Sequence, residues 1–373
     1  MSKSYLMAAR RSAVSPRHGA FADLLPHQLA VPVVKAVLAD AGLDTSDVGE
    51  IIVSNALGAG GNPARLVALA SDLPERIGGL SIDRQCCGGL DALLLADAMI
   101  RSGQHDVVVA GGVESYSRRP LRSHTFADGS EPRPYDQAPF TPWPERDPNM
   151  AVAADQLAQR LSISRAEQDD WAIHSHAKAL ASQDKAACEI VPIAELAHDP
   201  FGRKLSQRLC DRSPVIAGSI TSANMCVAAD AAAFVVLVSE RVAKKAPHPL
   251  PELLAGATVG GEPDMPGLGP VPAIRESLAK AGLSTGDLTI AEIMEAFAVQ
   301  AIACQREAGI DPAIVNPFGG SLARGHPIGA SGAVLAVRLF HHLQRQNGVG
   351  LAAIAAAGGL GTALIVKSGT PGL

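Results

Sequence analysis

The chain has 373 residues, a length natural for two or three structural units. Its formal net charge is −5, and only 3% of its residues are aromatic. Charges of both signs are spread along it, so we expect neither a nucleic-acid-binding stripe nor a polybasic membrane patch. The six cysteines have neither disulfide-scaffold nor metal-site spacing, and no signal-type apolar segment follows the N-terminus, which favours a cytoplasmic location.

The first part of the chain alternates between strand-like and helix-like patterns, which is typical of α/β proteins. Helical spacing of apolar residues predicts a helix over residues 27–41, ended by Gly42, with a start or a kink at Pro32. The other predicted elements are strands over 4–9, 50–54, 80–83 and 106–111, helices over 64–70 and 90–101, and a glycine-rich loop over 57–62.

Two adjacent cysteines, Cys86 and Cys87, follow the strand predicted over 80–83 and precede a Gly-Gly turn and a helix. A cysteine at a helix N-terminus has its thiolate stabilised by unpaired N–H groups and by the helix dipole, which predicts a lowered thiol pKa. The alternative is that both are small buried core residues. The residues themselves do not choose between Cys86 and Cys87.

The composition changes after Glu114, where residues 116–149 are rich in arginine, proline, serine and aspartate without clear periodicity. This insertion is followed by an amphipathic helix over 151–161 and by a helix from 165 to about 182 that begins with a capping box at Ser164. His174 and His176 lie on this polar helix and are predicted to be solvated. An apolar strand over 234–238 then restores the α/β pattern.

An internal repeat relates the two ends of the chain. Residues 41–48 (AGLDTSDV) match residues 281–288 (AGLSTGDL); each follows an apolar helix and leads to a Glu-Ile pair and a strand. This order predicts a duplicated α/β unit.

The repeat also pairs Cys86 with His326. A strand predicted over 313–316, a glycine-rich turn that contains His326 and a helix over 333–343 correspond to the elements around Cys86. A pseudo-twofold axis would bring such places together, and a histidine beside a cysteine activates the thiol as a nucleophile. The alternative is that His326 is a satisfied core imidazole.

The stretch between Arg345 and Lys367 has no charged residue and is long enough to cross a bilayer. Gly358, Gly359 and Gly361 interrupt it, which favours a strand, a glycine turn and a second strand over a membrane helix. We therefore predict no membrane insertion.

Five motifs, in chain order, resemble those of the thiolase family over nearly the whole chain. They are residues 83–89 (DRQCCGG), 111–115 (GGVES), 219–224 (SITSAN) with Asp230, 294–298 (MEAFA), and 316–320 (NPFGG) with 325–327 (GHP). The resemblance implies that Cys86 is the nucleophile and that His326 activates it. It also implies an α/β thiolase-like fold of two similar halves, each a mixed sheet with helices on both faces, five-layered, plus an inserted loop domain.

The boundaries implied are residues 1–115 with 230–248 for the N-terminal half, 116–229 for the inserted loop domain, and 249–373 for the C-terminal half. The activity implied is reversible thiolysis of 3-ketoacyl-CoA, or the reverse Claisen condensation, through an acyl-enzyme. Coenzyme A thioesters are then substrates, and no permanently bound cofactor is expected. A homodimer is expected, with a tetramer left open. The acyl or pantetheine channel is expected to be lined by Met150, Ser222, Cys226, Ala296 and Phe297.

The chain also departs from the family's pattern near the predicted site. Ala355 occupies the place of the family's second cysteine, the proton shuttle of the condensation step; the other altered positions are Asn149, Cys226, Met294 and Ala357. Three functions follow: an acetyl-CoA acetyltransferase or 3-ketoacyl-CoA thiolase with an altered second step, an acyltransferase that passes the Cys86-bound group to another nucleophile, or a degenerate subunit that binds acyl-CoA or a partner protein.

Overall fold

A computed structural model describes residues 3–58 and 60–369, so residues 1–2 and 370–373 of the predicted halves, and Ala59 of the predicted glycine-rich loop, lie outside the described residues. The strands are β1 Ser4–Ser12, β2 Ser15–Pro16, β3 Glu50–Ser54, β4 Leu80–Ile82, β5 Val107–Glu114, β6 Arg122–His124, β7 Arg133–Tyr135, β8 Ile190–Val191, β9 Val215–Ala217, β10 Ile220–Thr221, β11 Ala229–Ser239, β12 Glu252–Gly260, β13 Ile290–Ile293, β14 Val349–Ala356 and β15 Leu360–Lys367. The helices are α1 Pro26–Ala41, α2 Pro63–Ala70, α3 Gly88–Arg101, α4 Met150–Arg160, α5 Arg165–Ala181, α6 Gln183–Ala186, α7 Gln207–Asp211, α8 Glu240–Ala243, α9 Pro270–Ala281, α10 Ala298–Ala308 and α11 Ile328–Arg345.

The internal repeat has the same local structure in both copies. Helix α1 ends at Gly42 and helix α9 ends at Gly282, and both glycines have left-handed backbone, with φ of 63° and 68°. A short 3-10 turn follows each helix and leads to β3 in one copy and to β13 in the other. Glycine is needed at both helix ends because a side chain disfavours this conformation. The predicted duplication is therefore confirmed for the helix–turn–strand unit of each copy.

The two halves have matching sheet order. In the first, β1, β11 and β5 pair antiparallel and β3 pairs parallel to β5; in the second, β12, β15 and β14 pair antiparallel and β13 pairs parallel to β14. The pairs Ser4–Leu253 and Tyr5–Glu252 join β1 to β12. The predicted mixed sheets of the two halves therefore form one continuous sheet through this short junction.

Three hydrophobic clusters separate the helices into layers. The central cluster contains α3, α11 and inward-facing residues of both halves of the sheet. A second cluster packs α1 and α2 on the outer face of the first half, and a third packs α9 and α10 on the outer face of the second. Alternate residues of β5 belong to different clusters: Val108 to the central one and Val109 to the outer one. This arrangement, helices on both faces of each half-sheet, confirms the predicted five-layered fold.

Helices α3 and α11 approach each other closely at two glycines. A Cβ on Gly89 would lie 2.4 Å from the Ala333 nitrogen, and a Cβ on Gly332 would lie 2.5 Å from the Leu90 nitrogen. No real side chain tolerates such distances, so only glycine allows this approach. The contact brings the beginnings of the two central helices together.

One predicted strand is wrong. Residues 313–316 form no strand, because Pro312 has no N–H to give to a ladder and begins a 3-10 turn that Asp311 caps at the Ala313 nitrogen, 2.9 Å away. Val315 keeps a single parallel bridge to Ala291. Pro32, in contrast, is accommodated inside α1, which begins at Pro26.

The insertion contains more structure than its composition predicts. Strands β6 and β7 pair antiparallel from Arg122–Tyr135 to His124–Arg133. His174 is exposed as predicted, but His176 is fully buried, and its Nδ1 accepts the Arg203 N–H at 3.3 Å. The solvated position predicted for His176 is therefore wrong, and burial lowers its pKa to about 4.

The uncharged stretch near the C-terminus is the β14–β15 hairpin, as predicted. Gly358 and Gly359, with φ of 76° and 81°, form the turn between the two strands. In the described part of the chain, no helix is both long and apolar enough to cross a membrane.

Candidate active site

Cys86 lies between β4 and α3, in a 3-10 turn over Gln85–Cys87 that leads directly into the helix. Its side chain is partly accessible, whereas Cys87 is fully buried and its Sγ lies 3.5 Å from the Ile354 carbonyl oxygen. Gln85 has a positive φ of 50°, so the turn is strained just before the cysteine. Cys86 is thus presented to a pocket, and Cys87 packs in the core.

His326 is held in place by its backbone. Its N–H donates to the Val227 carbonyl oxygen at 2.8 Å, and the preceding N–H, of Gly325, donates to Ser321 at 2.7 Å. Gly325 has a φ of 117°, and a Cβ there would lie 2.8 Å from the Ala229 Cβ. The segment before β11 and the loop before α11 therefore fit together only with glycine beside the histidine.

The structure brings Cys86 and His326 together across 240 residues, with 3.0 Å between Sγ and Nε2. The other ring nitrogen, Nδ1, lies 2.6 Å from the Ser331 Oγ, and that hydroxyl donates to the Pro327 carbonyl oxygen at 3.0 Å. Because the hydroxyl proton goes to Pro327, Ser331 accepts from Nδ1–H. Nε2 is then unprotonated and faces the thiol as an acceptor.

Ser331 was not predicted from the sequence. Ser331 lies in the first turn of α11, five residues after His326. This spacing predicts a contact with the imidazole only when the start of the helix is known. A hydroxyl there fixes the tautomer of the imidazole, in the way that carbonyls and carboxylates orient histidines in other sites.

Burial sets the protonation of the pair. It raises the pKa of the Cys86 thiol to about 12 and lowers the pKa of the His326 imidazole to about 4. The expectation that the helix start lowers the Cys86 pKa is therefore wrong, because loss of hydration disfavours the charged forms more strongly than the helix terminus favours the thiolate. These shifts favour a neutral thiol beside a neutral imidazole, an arrangement in which His326 Nε2 can accept the thiol proton.

A pocket of about 640 Å³ opens onto the pair. Of the residues predicted to line it, Met150, Cys226, Ala296 and Phe297 do so, together with the altered positions Ala355 and Ala357. Ser222 is exposed and is not among the lining residues, because its loop turns toward Pro214, whose carbonyl accepts the Ser222 N–H at 3.1 Å.

Two altered positions lie outside the pocket lining. Met294 is buried, and its Sδ lies 2.9 Å from the Ser321 hydroxyl. Asn149 is exposed and caps α4, its side chain accepting the Ala151 N–H at 2.9 Å. Met294 thus contributes to packing and Asn149 to helix capping, whereas Ala355 directly forms part of the pocket wall.

One face of α4 forms much of the apolar wall. Met150, Ala153, Ala154 and Leu157 recur at helical spacing, and all four line the pocket. Because Ala153 and Ala154 have small side chains, they leave the pocket wider at the middle of this wall.

The mouth of the pocket is polar. Arg119, Arg122 and the exposed Asp136 line it, and Arg119 pairs with Asp136 at 2.8 Å. Tyr116 also lines the pocket, close enough to Cys86 for their charges to interact. Arg122 also donates to the Ala56 carbonyl oxygen at 2.8 Å. No group of histidine, cysteine and carboxylate side chains suited to a metal ion occurs among the described residues.

Two buried glutamates in the recognised motifs support the loops of the site. Glu114 accepts the Asn55 amide at 2.9 Å and the Gly329 N–H at 3.1 Å, so it joins the loop after β3 to the start of α11. Glu295 accepts from the Asn316 amide at 2.8 Å and the Trp171 indole at 3.0 Å. These carboxylates are scaffold groups and do not line the pocket.

The comparisons with known proteins agree with this geometry. The model of the thiolase N-terminal domain matches residues 4–241, and that of the thiolase C-terminal domain matches residues 248–368. An acetyl-CoA acetyltransferase of Paracoccus denitrificans is 37% identical over 390 residues, covering 98% of this chain and 100% of its own length. The crystal structure of the Bacillus anthracis acetyl-CoA acetyltransferase is 32% identical, with a TM-score of 0.90 and 99% of each chain covered. Human mitochondrial 3-ketoacyl-CoA thiolase in complex with CoA is 28% identical, with a TM-score of 0.92, covering 99% of this chain and 98% of that one.

Proposed function

The chain belongs to the thiolase family of acyltransferases, and on this premise we propose that it transfers the acyl groups of coenzyme A thioesters through a thioester on Cys86. The observation that carries the proposal is the 3.0 Å contact between Cys86 Sγ and His326 Nε2 at the wall of the pocket. Relatives named acetyl-CoA acetyltransferase and a similar thiolase bound to CoA support this substrate class.

Acylation follows from the protonation of the pair. As Cys86 Sγ attacks the thioester carbonyl, its proton passes to His326 Nε2, while Ser331 keeps the Nδ1–H in place. The carbon–sulfur bond to coenzyme A then breaks, and one thioester has replaced another. The exchange needs little driving force, so a buried neutral thiol with a base beside it suffices.

The pocket suits a long thioester substrate. The apolar face of α4 is proposed to contact the pantetheine arm and the acyl chain, with Met150, Cys226, Ala296 and Phe297 near the reacting end. At the mouth, the arginines are candidates for the phosphates, because guanidinium groups bind phosphate well.

The second step is proposed to differ from that of relatives with a cysteine at this place. Ala355 presents a methyl group to the pocket, and a methyl group neither takes nor gives a proton. Loss of a general acid or base typically costs about 10² to 10⁴-fold in rate. Carbon–carbon bond cleavage or formation therefore needs another group or is slow.

The test is thiolysis of acetoacetyl-CoA by the purified protein and its Cys86→Ala variant. We expect the wild type to release acetyl-CoA and Cys86→Ala to release none. Cys87→Ser is the matched control, because Cys87 is adjacent in sequence but lies outside the pocket lining. Turnover by Cys86→Ala equal to the wild type would contradict the proposal.

A second candidate function is favoured by the methyl group at Ala355. An acyl-enzyme on Cys86 that passes its group to a nitrogen or oxygen nucleophile needs no α-proton removal. It is distinguished by an acyl-enzyme that a small amine or alcohol consumes but that acetyl-CoA does not convert to acetoacetyl-CoA. A degenerate subunit that only binds acyl-CoA or a partner protein would give no Cys86 adduct at all.

A homodimer is also proposed; light scattering of the purified chain measures its mass in solution and so tests this proposal.

A further inference from the structure

The pocket contains a second thiol besides Cys86. Cys226 lies on the segment between β10 and β11, where its backbone N–H donates to the Ala296 carbonyl oxygen at 3.0 Å. The next residue, Val227, accepts the His326 N–H at 2.8 Å. Backbone contacts on both sides therefore fix Cys226 at the same part of the pocket wall as the pair.

The two thiols are electrostatically coupled. A negative charge on Cys226 contributes to raising the pKa of Cys86, and burial raises the pKa of Cys226 itself to about 12. Ala355 lines the same pocket. The pocket therefore holds a thiol, that of Cys226, besides the methyl group that Ala355 presents to it.

The other polar side chains of the pocket are less suited to proton transfer at its buried end. Asp83 and Asp136 are exposed, and Asp136 is paired with Arg119. Glutamine side chains are neutral amides that do not ionise, so they do not act as a general acid or base. Tyr116 is the remaining competitor, but burial raises its phenol pKa further, so it is a weaker acid than a thiol.

We propose that Cys226 is the acid–base catalytic residue of the carbon–carbon bond step, in the role that Ala355 does not fill. The inference rests on the proposed function, since it assigns the proton transfer that follows acylation of Cys86. It places the proton shuttle on the segment between β10 and β11, next to Val227, whose carbonyl oxygen accepts the His326 N–H.

The protons balance through a full condensation. When Cys86 attacks the first acyl-CoA, its proton goes to His326, and the departing CoA thiolate takes the proton of Cys226. The Cys226 thiolate then removes an α-proton from the second acyl-CoA, and the resulting enolate attacks the acyl carbon on Cys86. The new carbon–carbon bond forms, the bond to Sγ breaks, and Cys86 recovers its proton from His326. Thiolysis follows the same steps in reverse.

The experiment compares Cys226→Ala and Cys226→Ser with the wild type in three measurements. These are acetyl transfer from acetyl-CoA to Cys86 by intact mass, exchange of the acetyl-CoA methyl protons in D₂O, and thiolysis of acetoacetyl-CoA. Cys210→Ala, which removes a buried thiol on α7 outside the pocket lining, is the matched control. Thermal melting checks that each variant is folded.

We expect both Cys226 variants still to acetylate Cys86, because a thiolate leaves without prior protonation and can take its proton from water. We expect them to lose exchange and thiolysis by about 10² to 10⁴-fold, the usual worth of a general acid or base. We expect Cys210→Ala to behave as the wild type. Adding Ala355→Cys to Cys226→Ala returns a thiol to the pocket and is expected to restore exchange.

Exchange and thiolysis at the wild-type rate in Cys226→Ala would overturn the inference while leaving acylation of Cys86 intact. If Tyr116→Phe lost exchange and thiolysis while Cys226→Ala kept them, the inference would be overturned, and the Tyr116 phenol would be the acid–base group. A wild type that acetylates Cys86 but neither exchanges nor cleaves would also overturn it. A wild type that forms no Cys86 thioester would instead refute the proposed function.

Discussion

His326→Asn tests the protonation of the Cys86–His326 pair. Asparagine keeps a polar side chain at this position but does not accept the thiol proton. With a Cys86 pKa of about 12, only about one thiol in 10⁵ is ionised near neutral pH, so attack without a base depends on a very small thiolate fraction. We expect acetylation of Cys86 to slow by about 10² to 10⁴-fold.

The pH dependence of acetylation tests more directly whether His326 accepts the thiol proton. Burial lowers the His326 pKa to about 4, so the imidazole is in its neutral, proton-accepting form throughout the neutral range. Wild-type acetylation should therefore be nearly independent of pH from about 6 to 9. In His326→Asn the rate should rise about tenfold for each pH unit, following the thiolate fraction.

The assay is a rapid-quench time course of acetyl-CoA with enzyme, in which the Cys86 thioester is measured by intact mass at several pH values. His174→Asn, an exposed histidine on α5, is the control. A variant that is slow but has the flat profile of the wild type would refute the reasoning, since His326 would then not be the proton acceptor. Wild-type absorbance of a thiolate near neutral pH would refute the neutral pair.

Three further predictions concern the support of the site. Ser331→Ala removes the partner of His326 Nδ1 and should slow acetylation about tenfold in rapid-quench assays, with the melting temperature little changed. Gly332→Ala places a methyl group against Leu90 and should lower the free energy of unfolding in urea by about 1–3 kcal/mol, together with the acetylation rate. Arg338→Met leaves the buried Glu292 without its partner at 3.2 Å and should cost about 3–5 kcal/mol in the same unfolding measurement, with acetylation of the folded fraction unchanged.

The fold was largely predictable because its two halves repeat a local signal. The matching octamers that follow α1 and α9 contain the helix-ending glycines, and these predicted both the duplication and the correspondence of Cys86 with His326. The short β1–β12 junction was not predictable, because pairing between distant strand ends has no local pattern in the chain. The strand predicted over 313–316 was wrong because the effect of Pro312 was underestimated.

The site was only partly predictable for a physical reason. The motifs predicted four of the five lining residues and misplaced Ser222, whose loop turns away from the pocket. The pKa of Cys86 depends on burial by residues distant in the chain, and burial reversed the shift expected from the helix start. Ser331 and the position of Cys226 beside the His326 backbone likewise depend on tertiary contacts. His176 was misplaced because its helix is polar in sequence, although one face packs inside.

The central claim is that Cys86 carries the acyl group, and the most direct measurement is peptide mapping by mass spectrometry after brief incubation with acetyl-CoA. The account predicts one acetyl group, labile to hydroxylamine, on the peptide that contains Cys86 and Cys87. It also predicts loss of this group in Cys86→Ala and its retention in Cys87→Ser. An unmodified protein, or an acetyl group that persists in Cys86→Ala, would contradict the account.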